Sequence, residues 1–117
     1  MENLVKRYLA AWNEADAGAR AEAVAELWAE DGAYTDPLAA VTGHEAIAAV
    51  IAGAREMFPG MVFTPGEMFE THHNVARFTW HLGAPGAEPI ADGFDVAELD
   101  EDGRIRRVLG FFDRVPA

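Results

Sequence analysis

The chain has 117 residues, and half of them are hydrophobic, so it can form one domain with one core. Its formal net charge of −11 argues against binding to nucleic acid or to anionic membranes. The sequence contains no cysteine and no serine, which excludes disulfides, thiolate chemistry and a Ser-His-Asp site. Its longest apolar run, residues 46–54, is too short to span a membrane, and its first residues do not resemble a signal peptide. We therefore expect a soluble, cytoplasmic protein.

Three helices are predicted in the first half of the chain. The first carries an apolar stripe at three- and four-residue spacing, formed by Leu4, Val5, Tyr8, Leu9 and Trp12. The second carries Val24, Leu27 and Trp28 on one face, and we expect it to end at Asp31-Gly32.

A short extended segment, residues 33–37, separates the second helix from the third, because Pro37 disfavours helix at the residue before it. The third helix is predicted to begin with a capping box in which Thr42 is the N-cap and Glu45 bonds back to it. It ends before Pro59. Its predicted buried stripe consists of Ile47, Val50, Ile51, Ala54 and Phe58.

The second half of the chain predicts strands. They cover residues 61–64, 67–71, 75–82, 90–99 and 104–115. In the third of them, one face carries Ala76, Phe78, Trp80 and Leu82, and the other carries Val75, Arg77, Thr79 and His81. Helices followed by an antiparallel meander predict an α+β fold, with the helices packed on one face of a curved sheet.

Asp95 is the residue that most strongly suggests a functional site. It lies in the middle of a predicted strand, on the same face as Gly93, Ala97 and Leu99. Burying a carboxylate there costs free energy unless the group is paired or protonated, and the small neighbours leave room for a ligand. The alternative is that this face is wet and Asp95 only solvates it.

Other polar residues each have a structural explanation beside a functional one. Asp36 precedes a proline and could be a turn residue that bonds its own backbone. Tyr8 and Trp12 are one helical turn apart, which core packing also explains. His81 shares its strand face with Arg77, and such a face is more often exposed to solvent than catalytic.

The remaining histidines do not indicate a metal site. His72 and His73 lie in a predicted turn, and their spacing to other ligand-type residues matches no metal motif. The glycines of the second half form no phosphate-binding pattern. We therefore predict no metal and no cofactor.

Over nearly its whole length, the sequence resembles the SnoaL-like branch of the NTF2-like superfamily. The segments that carry the resemblance are residues 28–37, 43–47, 58–60, 76–80 and 99–113. The resemblance implies a single domain over residues 1–117, in which a strongly curved, mainly antiparallel sheet and three N-terminal helices form a cone around a pocket. It also implies a homodimer. The fold hosts isomerases, cyclases, dehydratases, epoxide hydrolases and non-catalytic binders, so it does not define the reaction.

Within this superfamily, the sequence is similar to the ketosteroid isomerases at three positions. Those enzymes use a tyrosine on the first helix, an aspartate before a proline, and an aspartate eight residues before a hairpin glycine. Tyr8, Asp36 and Asp95 occupy these positions, with Gly103 as the glycine. The resemblance implies that Asp36 moves a proton beside a carbonyl, while Tyr8 and protonated Asp95 donate hydrogen bonds to the oxyanion.

The sequence also resembles the SnoaL-type polyketide cyclases, which use a histidine and an aspartate fourteen residues apart on adjacent strands. His81 and Asp95 have this spacing. We expect them to lie nearly opposite each other across a hairpin centred near Ala87 and Glu88. A minor alternative is epoxide hydrolysis with an Asp-Arg-Asp arrangement, which requires Arg77 to point inward.

Taken together, these patterns predict cofactor-free acid-base chemistry on a small hydrophobic carbonyl compound, either isomerisation or aldol-type cyclisation. Such chemistry needs a carboxylate whose pKa is raised by burial and a donor aimed at the oxyanion. The candidate catalytic residues are Asp36, Asp95, Tyr8 and His81. The predicted pocket walls are Trp12, Trp28, Phe58, Phe63, Arg77, Val108 and Phe112.

A second prediction concerns the outer face of the sheet. An exposed apolar face would support a homodimer, and its predicted members are Phe78, Trp80, Leu82, Phe94 and Phe111. Two alternatives to the enzyme remain open, a non-catalytic ligand-binding module and a dimerisation module of the same fold. A pocket filled by its aromatic residues would favour the dimerisation module.

Overall fold

A computed structural model describes residues 1–116 and contains three helices packed against one sheet. The helices are α1 (Glu2–Asn13), α2 (Ala17–Leu27) and α3 (His44–Met57). α1 buries Val5, Tyr8, Leu9, Ala11 and Trp12, which confirms the predicted stripe apart from Leu4, which is only partly buried. Within residues 1–116, no helix is long and apolar enough to cross a membrane.

Six strands form the sheet. They are β1 (Trp28–Thr35), β2 (Ala40–Thr42), β3 (Val62–His72), β4 (Val75–Gly83), β5 (Ala91–Leu99) and β6 (Ile105–Arg114). Their order is β2-β1-β6-β5-β4-β3, with β1 and β6 parallel and the other neighbours antiparallel. The predicted strands over residues 61–64 and 67–71 are one strand, β3, interrupted by a register shift between Pro65 and Phe69. The result is the expected α+β architecture.

The predicted end of the second helix is wrong. The N-cap of α2 is Asp16, whose side chain accepts a hydrogen bond from the Ala19 amide at 2.8 Å, and the helix ends at Leu27. Trp28 starts β1 and pairs with Ile105 of β6. Both side chains are fully buried, so pairing within the sheet overrides the helical spacing that Trp28 shares with Val24.

The predicted capping box at α3 is also wrong. The N-cap is Gly43, whose φ of 94° suits glycine, and no side chain caps the helix. Thr42 belongs to β2 and pairs with Ala33. The start of α3 is instead tied to β1 by His44, whose Nε2 lies 2.9 Å from the Trp28 carbonyl oxygen and 3.0 Å from that of Ala29. Because carbonyl oxygens only accept, this nitrogen carries the proton.

The alternation along β4 is as predicted, but its apolar face points inward. Phe78, Trp80 and Leu82 are buried in the core beneath the helices. Their assignment to an exposed dimerisation face is therefore wrong, because the helices cover that face. The outer face carries Phe94 and Phe111, whose rings stack with centroids 5.0 Å apart.

Candidate active site

A cavity of about 650 Å³ opens between the sheet and helices α1 and α3, a size typical of small-molecule sites. Its walls are mostly apolar and include Trp12, Val50, Phe58, Phe63, Trp80 and Phe112. Polar groups enter it from Tyr8 on α1, Tyr34 on β1, Asp36 just beyond β1 and Asp95 on β5. The aromatic side chains therefore line this cavity and do not fill it.

The carboxyl group of Asp95 is buried and accepts two hydrogen bonds. The residue is 4% exposed. The Tyr8 hydroxyl donates to Oδ2 at 2.7 Å, and the Trp80 indole N–H donates to Oδ1 at 3.2 Å. Burial, and to a smaller extent the charge of Asp36, raise the pKa of Asp95 to about 6, although both hydrogen bonds favour the ionised form. Asp95 can therefore hold or release a proton close to neutral pH.

Asp36 is fixed by three neutral donors. Its Oδ1 accepts hydrogen bonds from the backbone amides of Leu38 and Ala39, both at 2.8 Å. Its Oδ2 accepts one from the Tyr34 hydroxyl at 2.7 Å. The residue is therefore both a turn residue and a cavity residue. A carboxylate has about four acceptor positions, so one remains for a ligand.

Gly110 creates the space that the two carboxyl groups share. It pairs with Asp95 across β5 and β6. A Cβ atom at this position would lie 2.8 Å from Asp95 Oδ1 and 3.4 Å from Asp36 Cβ. Any other residue would therefore crowd the Asp95 carboxyl group and contact Asp36.

Tyr34 and Trp80 are site residues that the sequence reasoning missed. Burial and the charges of Asp95 and Asp36 raise the pKa of Tyr34, so its hydroxyl remains a donor. Its separation of two residues from Asp36 could have identified it, since such residues share one side of an extended segment. Trp80 lies opposite Gly93, where a Cβ would be 2.4 Å from Trp80 Cζ2. The sequence alone does not indicate this role of Trp80, because it depends on the register of β4 and β5.

The structure does not bring His81 to Asp95. His81 pairs with Asp92, whereas Asp95 pairs with Phe78. The predicted register was off by three residues, an odd number, which places His81 on the outer face. There its ring bonds to Asp92 through Nδ1 and to Glu67 through Nε2, and these bonds raise its pKa. The predicted His81–Asp95 pair is therefore wrong.

Three predicted wall residues lie outside the cavity. Arg77 is on the outer face and forms an ion pair with Glu70 at 2.7 Å, which removes the Asp-Arg-Asp arrangement. Trp28 and Val108 are fully buried in the core and do not reach the cavity surface. Trp12, Phe58, Phe63 and Phe112 do line the cavity. The catalytic roles of Asp36, Asp95 and Tyr8 stay predictions.

Replacing Tyr8 by phenylalanine is expected to raise the pKa of Asp95 above about 6, because the lost hydroxyl stabilises the ionised carboxylate. Carbon-13 NMR titration of the Asp95 carboxyl carbon measures this pKa. Tyr34→Phe is the matched control, since the Tyr34 hydroxyl bonds to Asp36 instead. An unchanged pKa in Tyr8→Phe, or an equal rise in both variants, would contradict the assigned network.

The model of the SnoaL-like domain matches residues 5–108 of the chain. No curated protein matches the chain by sequence. Among solved structures, a candidate isomerase of the SnoaL-like family from Agrobacterium tumefaciens is 42% identical, with a TM-score of 0.90 over 95% of each chain. A candidate polyketide cyclase from Sinorhizobium meliloti is 22% identical, with a TM-score of 0.71 over 92% of this chain and 93% of that one. A SnoaL-like protein of unknown function from Burkholderia thailandensis is 15% identical, with a TM-score of 0.74 over 95% and 92%. The last two show the shared fold alone.

Proposed function

The chain belongs to the SnoaL-like domain family, and from that premise we propose that it is an enzyme doing cofactor-free acid-base chemistry on a hydrophobic carbonyl compound. One observation carries the proposal. Two carboxyl groups, Asp36 and Asp95, enter the same apolar cavity, and burial raises the pKa of one of them to about 6. Carboxyl groups in such different environments suit the separate roles of base and acid.

In the proposed mechanism, Asp36 removes a proton from the carbon beside the substrate carbonyl, using its remaining acceptor position. Protonated Asp95 then donates a hydrogen bond to the oxygen on which negative charge develops. Burial and the charge of Asp95 raise the pKa of Tyr8 well above its usual range, so its hydroxyl keeps its proton. It becomes the second donor when substrate binds, because its single O–H then turns from Asp95 Oδ2 to the substrate oxygen. A substrate that displaces water from the cavity favours the neutral form of Asp95 further.

The two proposed reactions share this first step and differ in the fate of the enolate. In isomerisation, the proton held by Asp36 returns to a different carbon of the same molecule. In aldol-type cyclisation, the enolate carbon attacks a second carbonyl of the same molecule, and the new alkoxide takes up the proton that Asp36 holds, which restores the carboxylate. Both suit a cavity of about 650 Å³ with apolar walls.

A non-catalytic ligand-binding domain is the alternative. It is supported by the three hydrogen bonds to Asp36, which also serve to hold the turn after β1. In that case, the cavity selects a ligand and moves no proton.

We further propose that the protein forms a homodimer through the outer face of the sheet. Phe111 is 50% exposed there, and Leu109 is 39% exposed on the same strand. The ion pairs Arg77–Glu70 and Arg107–Glu98 flank this apolar area. An apolar patch with a charged rim is typical of interfaces between protein chains.

The reaction can be tested without knowledge of the natural substrate. Conversion of β,γ-enones to α,β-enones is followed by ultraviolet absorbance, and deuterium uptake beside ketone carbonyls is followed by NMR. Asp36→Asn is expected to lower either rate at least ~100-fold, because general-base catalysis contributes about that much. The amide keeps an oxygen for the Leu38 and Ala39 amides, so the fold should persist.

Asp102→Asn is the matched control, since it removes one carboxylate from an exposed turn outside the cavity. Its rates should equal those of the unsubstituted protein. Equal rates in Asp36→Asn would overturn the assignment of Asp36 as the base. Binding of enones without any isomerisation or exchange would favour the non-catalytic alternative.

A further inference from the structure

The cavity contains carboxyl groups but lacks a compensating cation. Within residues 1–116, no lysine, arginine or histidine lines it, and its carboxyl groups are those of Asp36 and Asp95. The three donors to Asp36 are uncharged, namely two amides and one phenol. Asp95 is buried and Asp36 is half-buried, and charges that are moved out of water in proteins are normally paired because an uncompensated charge costs free energy. The negative charge of this cavity therefore lacks a partner inside the fold.

The cavity wall also suits a cation. Five aromatic side chains follow one another around it, and we call them the aromatic wall: Tyr34, Trp12, Phe63, Trp80 and Phe112. Successive ring centroids along this series lie 5.3, 5.5, 5.4 and 6.0 Å apart. The faces of aromatic rings carry partial negative charge and attract ammonium groups within about 6 Å.

The mouth of the cavity is apolar. Leu38, Met57 and Val115 line it and are 71%, 61% and 56% exposed. A hydrocarbon chain that leaves the cavity would pass these side chains and bury their exposed surface. The complete site is therefore an apolar entrance that leads to an aromatic wall and an uncompensated negative charge.

We propose that this cavity binds lipophilic ammonium ions, with the nitrogen between Asp36 and the aromatic wall and the hydrocarbon part towards the apolar mouth. The ammonium N–H donates to the remaining acceptor position of the Asp36 carboxylate. Ligands that carry carboxylate or phosphate groups are repelled by the same charge. The inference goes beyond the proposed reaction, because it requires the cavity and its charge but no proton transfer.

Three probes that share a phenyl ring on a four-carbon chain and differ in charge test the proposal. They are 4-phenylbutylamine, 4-phenylbutan-1-ol and 4-phenylbutyrate, measured by isothermal titration calorimetry at pH 7.5. We expect the amine to bind at least tenfold more tightly than the alcohol, and the butyrate to bind most weakly. An alcohol that binds as tightly as the amine, or a protein that binds no probe, would overturn the proposal.

Variants separate the local charge from the overall charge of −11, which attracts cations to the whole surface. Asp36→Asn should weaken amine binding at least tenfold and change alcohol binding less than twofold. Asp102→Asn makes the same change in net charge outside the cavity and should leave both affinities unchanged. Equal losses in the two variants would overturn the proposal, because the attraction would then be long-range.

The outcome is independent of the enzyme test. Selective amine binding that depends on Asp36, in a protein that neither isomerises enones nor exchanges ketone protons, would support this site and reject the proposed reaction. Turnover of enones without a preference for the amine would do the reverse.

Discussion

At pH 8, the Asp95→Asn variant is expected to be about 3 kcal/mol more stable to unfolding than the unsubstituted protein. Burial raises the pKa of Asp95 from 3.8 to about 6, and each pKa unit corresponds to about 1.4 kcal/mol. The folded state therefore holds this proton more tightly than the unfolded state does. Stability from Asp95 is fully present only below a pH of 3.8 and is lost as the pH rises through about 6. Asparagine resembles the neutral acid at every pH and avoids this loss.

The side-chain amide introduced by Asp95→Asn can also keep both hydrogen bonds of the neutral acid. Its oxygen can accept from the Trp80 indole, and its NH₂ group can donate to the Tyr8 oxygen. Urea denaturation from pH 4 to pH 8 measures the stability difference, which should be small at pH 4 and grow up to about pH 7. In Asp102→Asn the corresponding difference should stay near zero. A difference between Asp95→Asn and the unsubstituted protein that does not change with pH would show that Asp95 is not desolvated.

The second large effect is expected at Trp28. Replacing it by alanine should cost about 3–5 kcal/mol of stability, as for other buried tryptophans. Its side chain is fully buried, its indole N–H donates to the Ala33 carbonyl at 3.2 Å, and its ring centroid lies 5.6 Å from that of Tyr8. Small domains are stable by only about 5–15 kcal/mol, so little stability would remain.

Chemical denaturation followed by circular dichroism measures the loss in Trp28→Ala. Phe112→Ala is the comparison, because Phe112 is only partly buried and lies on the cavity wall, where its removal enlarges an existing space. We expect a clearly smaller loss for Phe112→Ala. Equal losses would contradict the placement of Trp28 in the closed core behind the site.

The sequence predicts well those features that depend on local spacing. The apolar periodicity of α1 and the alternation of β4 are visible in a few neighbouring residues. The fold class follows from the order of the predicted elements, with helices first and strands after them. Asp95 could be identified because a carboxylate among small residues in the middle of a strand is unusual. Asp36 and Tyr8 were identified from the family resemblance and occupy the same cavity in the structure.

Features that depend on pairing between distant segments were not predictable from spacing. Trp28 fits a helix locally, but its partner Ile105 is near the other end of the sequence. His81 was misplaced because the register of β4 and β5 depends on how their connecting loop closes. The direction in which Trp80 points was likewise set by the helices that cover β4, not by the alternation itself.

The central position of β6 in the sheet has a consequence for when the site can exist. β6 lies between β1 and β5, and in the described sheet it joins the β2-β1 pair to the β5-β4-β3 meander. Asp36 follows β1 and Asp95 lies on β5, so the two carboxyl groups line one cavity only after β6 has paired with both β1 and β5. Contacts between segments so distant in sequence form slowly, because the intervening chain must first be ordered. During synthesis on a ribosome, both carboxyl groups are therefore present well before the site is. The site appears in a late step, when the ninth and last element of the described fold closes the sheet.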